Sequence, residues 1–144
     1  MFVVDSKGII YEGRTEGMNE WKQTFAVSTP LRTFDEAING ADIFIGLAGK
    51  DLIKEAHLKS MKEKPIIFAL ANPQPEISPA VAKATWPDSI VATGWPDFPN
   101  QVNDKLVFPF IYWAVLDVRA KKITTAMMLE TAKAIAAVAK LDVP

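Results

Sequence analysis

The sequence predicts an α/β fold built on a mainly parallel sheet, and three observations carry that expectation. Short runs of β-branched and aromatic residues recur at residues 2–4, 43–45, 65–71 and 89–93. The stretches between them have helical spacing or carry helix caps. Each run closes on a small, acidic or amide residue: Asp5, Gly46, Asn72 and Gly94. Strands alternating with helices in this way indicate βαβ units.

Taken in order, residues 2–4 form a first short strand, and Ser6-Lys7-Gly8 forms the turn after Asp5. Residues 18–26 are expected to be helical, with Asn19 near the start. Thr33 and Glu36 have the spacing of a capping box, which predicts a short helix over 34–39, stopped by Gly40. Ile43-Phe44-Ile45 reads as a fully buried strand, and a helix is expected over 51–61. Residues 65–71 form the clearest strand, apolar on both faces as if covered by helices on each side. Ser78-Pro79 opens the next helix, proline suiting the first helical position. Residues 89–93 form the following strand. A long apolar helix is expected over 102–119, bent or restarted at Pro109. A last helix is expected over about 124–140.

Composition narrows the function classes. Hydrophobic residues make up 49% of the 144, enough for a core, and no domain boundary is visible. The formal net charge of -1 gives no basic surplus for nucleic acid. Without cysteine there is no disulfide scaffold and no thiolate metal site, which fits a reducing cytoplasm. A single histidine, His57, cannot build a histidine-based metal centre. The longest uncharged apolar run, residues 106–116, falls well short of the roughly 20 residues of a membrane span.

In open parallel sheets ligands bind beyond the carboxyl ends of the strands. Asp5 there could accept hydrogen bonds from the ribose hydroxyls of an adenine dinucleotide and repel a 2′-phosphate, or it could simply open a turn. The turn 46–49, Gly-Leu-Ala-Gly, would let a ligand approach the backbone closely, or serve as a generic strand-to-helix turn. Asn72 offers both a donor and an acceptor, or begins an Asx turn before Pro73. Residues 97–104 concentrate Asp97, Asn100, Gln101, Asn103 and Asp104, more polar groups than capping alone requires.

Several segments together resemble the malic enzymes of bacteria and archaea. They are Val4-Asp5-Ser6-Lys7-Gly8 with Gly13-Arg14-Thr15-Glu16-Gly17, and Ala41–Gly46. They continue with Pro65-Ile66-Ile67-Phe68-Ala69-Leu70-Ala71-Asn72-Pro73, Pro75-Glu76-Ile77, Val91-Ala92-Thr93-Gly94, Asp97–Asn103 and Leu116-Asp117-Val118-Arg119-Ala120. The resemblance implies that residues 1–144 form one partial dinucleotide-binding domain. Its fold would be an incomplete Rossmann-like, doubly wound parallel sheet lacking the first strand and the glycine-rich loop. The family oxidises malate with NAD or NADP and decarboxylates the product to pyruvate and CO2, using Mg2+ or Mn2+. The implied cofactor residues are Asp5, Gly46, Asn72 and Asn103, and the implied substrate residues are Asn72 and Asp104. No catalytic residue and no metal ligand falls on a residue of this chain, so the metal belongs to the complete enzyme only. Asp5 favours NAD, with NADP as the alternative. The expected partners are malate or pyruvate in the complete enzyme and either further copies of the chain or a missing N-terminal half. The expected location is the cytoplasm.

Three departures from the family pattern stand out. Asp104 occupies a place where the family usually carries asparagine, and a carboxylate repels an anionic substrate unless protonated or paired. Gly94-Trp95-Pro96 stands for Gly-Arg-Ser, and Phe108-Pro109-Phe110 for Phe-Pro-Gly. These bulky residues leave a second reading open, a non-catalytic oligomerisation or interaction module derived from a split or decayed malic enzyme gene.

Overall fold

The computed structural model describes residues 1–141. The chain divides into two compact units, Met1–Val102 and Asn103–Pro144. In the first unit, β1 (Val4–Asp5) and β2 (Gly8–Ile9) form a small antiparallel hairpin, separate from the main sheet. Helix α1 (Glu20–Gln23) follows, with the Asn19 side chain accepting the Lys22 N–H at 2.8 Å. It is shorter than the sequence suggested. Helix α2 (Phe34–Ile38) realises the expected capping box. The Thr33 hydroxyl accepts the Glu36 N–H, and the Glu36 carboxylate accepts the Thr33 N–H.

The remaining strands alternate with helices: β3 (Ile43–Gly46), α3 (Glu55–Ser60), β4 (Ile66–Ala69), α4 (Pro79–Thr85) and β5 (Ile90–Thr93). The three strands are parallel in the order β3-β4-β5. The fold is therefore α/β and Rossmann-like, as the sequence implied. The register aligns Gly46, Ala69 and Thr93, so all three strands end at one edge. Among the described residues β3 has no partner on its other side.

Ile67, Ala69 and Val91 on one sheet face pack with Ile38 of α2, Leu58 of α3, Ala82 of α4, and Ile53, Met61 and Ile77. Phe44 joins this cluster from β3. The Trp86 indole N–H donates to the Leu58 carbonyl at 2.8 Å and ties the end of α4 to α3.

The expectation that Ile43-Phe44-Ile45 is buried on both faces is corrected. Ile43 and Ile45 are 52% and 62% exposed, and Ile90, in register with Ile43 across the sheet, is 55% exposed. Helices α2, α3 and α4 all contribute to the cluster on the opposite face, so a strand apolar on both sides is covered on only one.

The helix expected from residue 51 is also corrected, because it begins at Glu55. Asp51 has a left-handed backbone at φ 56°, and the Ile53 N–H is donated to the Glu76 carbonyl at 3.1 Å. Residues 51–54 are therefore non-helical and are tied through Ile53 to Glu76, beyond the end of β4. The helix start is completed by His57, whose Nδ1 accepts the Lys54 N–H at 3.1 Å.

In the second unit, a 3-10 turn spans Asp104–Leu106, followed by α5 (Phe110–Asp117) and α6 (Thr125–Val138). The helix expected over 102–119 thus restarts at Pro109, which lacks the N–H a continuous helix would use there. Thr124 caps α6 by accepting the Met127 N–H at 3.2 Å. A groove of about 430 Å³ runs between α5 and α6, lined by Phe110, Ala114, Val118, Met127, Thr131 and Ile135. No residue of either helix is fully buried. Among the described residues, no helix is long and apolar enough to cross a membrane.

Candidate functional site

Asp5 ends β1, and its carboxylate is held on several sides. Arg14 donates from one guanidinium nitrogen to both oxygens, at 2.8 and 2.9 Å. The Lys22 ammonium, from α1, lies 2.6 Å from Oδ2, and the Lys7 N–H donates to Oδ1 at 2.9 Å. Arg14 is buried and also donates to the carbonyls of Gly8, Ile9 and Glu16. It ties both strands of the hairpin to the loop that leads to α1.

Burial pushes the Asp5 carboxyl upward. The hydrogen bonds from Lys22, Arg14 and the Lys7 backbone outweigh it and bring the pKa from 3.8 to about 2. Asp5 is therefore an anion facing two cations. Its charge of -1 against +2 from Arg14 and Lys22 leaves +1, while Lys7 and Glu16 offset each other at 2.7 Å. Read from sequence, Asp5 would repel a 2′-phosphate. In the structure its charge is more than neutralised.

Gly46 ends β3 and is buried. A Cβ at this position would overlap the Glu76 carboxyl group, so the space that glycine leaves is filled from within the protein. Glu76 is fully buried. One of its oxygens accepts the Ala48 N–H and the other the Ala71 N–H, each at 3.0 Å. Ala48 lies in the turn after β3, and Ala71 immediately precedes Asn72. One carboxylate therefore joins the ends of two neighbouring strands. Asn72 itself is exposed at that edge, before a cis bond to Pro73.

The polar segment after β5 divides between local roles. Asn100 adopts φ 60° and donates from its amide to the Val91 carbonyl at 3.1 Å. Gln101 pairs beside Thr93, and the Val102 N–H donates to the Thr93 carbonyl at 2.8 Å. In the second unit, Asn103 accepts the Lys105 N–H at 3.0 Å and caps the 3-10 turn, and Asp104 is exposed in its first turn. Gly46 and the backbone leading to Asn72 are thus brought together through Glu76. Asp5 sits in the separate hairpin, and Asn103 and Asp104 belong to the other unit.

Three side chains that organise this region carried no assigned role in the sequence reading: Arg14, Lys22 and Glu76. Arg14 and Glu76 lie inside segments that resemble the family. Arg14 is held by partners within nine residues, and Glu76 by Ala71 nearby and by Ala48, 28 residues away. His57, the single histidine, pairs with Asp35 at 3.0 Å and packs edge-on against Phe34, away from these strand ends. Among the described residues, no group of three or more acidic or histidine side chains is placed to hold a metal ion. The corner at Asp5 carries a surplus of positive charge, and the Ala48 and Ala71 N–H groups at the strand ends are taken up by Glu76.

Comparison with known proteins places the chain in a family. The family described as malic enzyme, NAD binding domain, matches residues 1–144. The chain is 51% identical to the NADP-dependent malic enzyme of Rhizobium meliloti over its whole length, covering 19% of that protein. It is 44% identical to the NAD-dependent malic enzyme of the same organism, with 97% of this chain and 18% of that protein covered. The crystal structure of an NAD-dependent malic enzyme from Thermotoga maritima superposes with a TM-score of 0.85 at 41% identity, over 96% of this chain and 38% of that one. The chain spans about a fifth of the length of these curated relatives, and it belongs to the malic enzyme family, as an NAD-binding domain.

Proposed function

We propose that this chain supplies the nucleotide-binding part of an NAD(P)-dependent malic enzyme and does not turn over malate by itself. The observation that carries the cofactor reading is the grip of Arg14 and Lys22 on Asp5. Asp5 already accepts two hydrogen bonds on each oxygen, so a ribose hydroxyl would bind it by replacing one of them, for example that of the partly exposed Lys22. The surplus positive charge beside it lowers the electrostatic barrier that a lone carboxylate would raise against a 2′-phosphate. NADP is therefore accommodated at the Asp5–Lys22 corner alongside NAD. A phosphate there would draw on Lys22 and on Lys7, which is more than half exposed.

Asn72, exposed beyond β4, is positioned to meet the nicotinamide carboxamide or a substrate carboxylate. Asn103 and Asp104, in the second unit, are proposed as cofactor and substrate residues on the family resemblance alone. Exposed Asp104 disfavours an anionic substrate unless a cation joins it. The bound nucleotide would supply hydride acceptance, and this chain's residues hold and orient it. Titrating the chain with NADP+ and NAD+, in wild type and Lys22→Glu, tests the cofactor reading. Adding malate and Mg2+ to the same samples tests whether turnover is absent.

A second reading, an interaction module, is favoured by one observation: Ile43, Ile45 and Ile90 expose a sheet face, and α5 exposes Phe110, Trp113 and Leu116. A complex with the rest of the enzyme that shows no malate-dependent NAD(P)H formation would favour it.

A further inference from the structure

We infer that Glu76 is a positioning residue for nucleotide binding, acting through the backbone at the ends of β3 and β4; this rests on the nucleotide-binding reading above. Glu76 is fully buried, yet no arginine or lysine among the described residues pairs with it. A carboxylate is an expensive group to place in a core for packing alone. What it contacts is specific: the N–H of Ala48, two residues beyond β3, and the N–H of Ala71, two residues beyond β4.

Both N–H groups lie past the last strand pairing, at Gly46↔Ala69, where the sheet no longer orders the backbone. Glu76 replaces the lost ladder with one side chain that accepts from both segments. Its own carbonyl accepts the Ile53 N–H at 3.1 Å, so the turn leading to α3 is tied to the same residue. Gly46 completes the device, since any side chain there would occupy the carboxylate's place. These segments carry the turn 46–49 and Asn72, the groups that face a ligand at this edge. Holding them before the ligand arrives lowers the ordering cost of binding.

Glu76→Gln tests this with little change in volume, because one oxygen becomes an NH2 that cannot accept from an N–H. Leu58→Ala serves as the control, a core truncation that leaves both amide bonds intact. Amide hydrogen exchange, melting temperature and the dissociation constant for NADP+ are measured on each. In wild type the Ala48 and Ala71 amides are expected to be protected like those of β4. In Glu76→Gln they exchange at least about tenfold faster, and NADP+ affinity falls about tenfold. Leu58→Ala lowers the melting temperature and leaves affinity unchanged.

Freely exchanging Ala48 and Ala71 amides in wild type would overturn the inference, even if Glu76→Gln failed to fold. An unchanged affinity in Glu76→Gln despite faster exchange would overturn the positioning role and leave nucleotide binding standing. Wild-type chain that binds neither NADP+ nor NAD+ would overturn the nucleotide reading and the positioning role with it.

Discussion

Arg14 reaches back nine residues to hold both carboxylate oxygens of Asp5, at 2.8 and 2.9 Å. The pair stiffens the β1–β2 hairpin and changes the charge that this strand end presents. The Arg14 side chain is 4% exposed and also satisfies three backbone carbonyls. Arg14→Ala should therefore cost about 3 kcal/mol in denaturant unfolding, since it leaves Asp5 and those carbonyls short of partners. Arg14→Lys should recover only part of that loss, because an ammonium cannot serve several fixed acceptors as a guanidinium fork does.

The same pair sets a pH dependence. The Asp5 pKa is depressed from 3.8 to about 2, so its stabilisation is fully present above about pH 4 and is lost as the pH falls through about 2. Screening at a partly exposed carboxylate limits the contribution to roughly 2 kcal/mol. Asp5→Asn should be less stable than wild type at pH 7, and the gap should close toward pH 2. Urea melts at a series of pH values would show this, and a gap that stays constant with pH would contradict it.

Gly46 and Glu76 compete for one volume. Gly46→Ala should destabilise by about 2 kcal/mol, as overpacking does. In the double variant with Glu76→Ala the collision is gone, so the combined cost should fall clearly below the sum of the single costs. Additive costs would mean that the two residues do not share the space.

The uncovered sheet face should promote self-association. Ile43, Ile45 and Ile90 are each more than half exposed, on a sheet whose β3 edge has no partner among the described residues. Replacing the three with threonine keeps β-propensity while adding hydroxyls. Sedimentation velocity should show wild type in concentration-dependent association and the triple variant shifted toward monomer. A monodisperse wild-type monomer with a cooperative melt would count against this.

How much was legible in the sequence followed the range of the interactions involved. The Thr33–Glu36 capping box depends on neighbours within a few residues and appears as expected. The strand β4 was legible from its continuous apolar run, although its partners lie more than twenty residues away and helices cover only one of its faces. The start of α3 was misplaced because Ile53 is bound to Glu76, more than twenty positions away. Apolar content showed that Ile43 and Ile45 could be buried, but it carried no signal for which sheet face the helices would cover. Asp5 does end a strand, but that strand lies in the separate antiparallel hairpin and not, as read from the sequence, at the edge of the parallel sheet. The electrostatic character of Asp5 was missed, because Arg14 and Lys22 approach it only once the loop between them is folded. The polar cluster at 97–104 looked like ligand chemistry, and in it Asn100 and Asn103 also make local backbone hydrogen bonds.

The most direct test of the cofactor reading is a titration of the 15N-labelled chain with NADP+ and with NAD+, in wild type and in Lys22→Glu. The expected result is saturable binding, with amide shifts concentrated at Asp5–Lys7, Lys22, Ala48 and Asn72. NADP+ should bind wild type at least as tightly as NAD+, and Lys22→Glu should weaken NADP+ about tenfold, or roughly 1.4 kcal/mol, while changing NAD+ little. No saturable shift with either nucleotide, or an equal loss for both in Lys22→Glu, would contradict a nucleotide site at the Asp5–Lys22 corner.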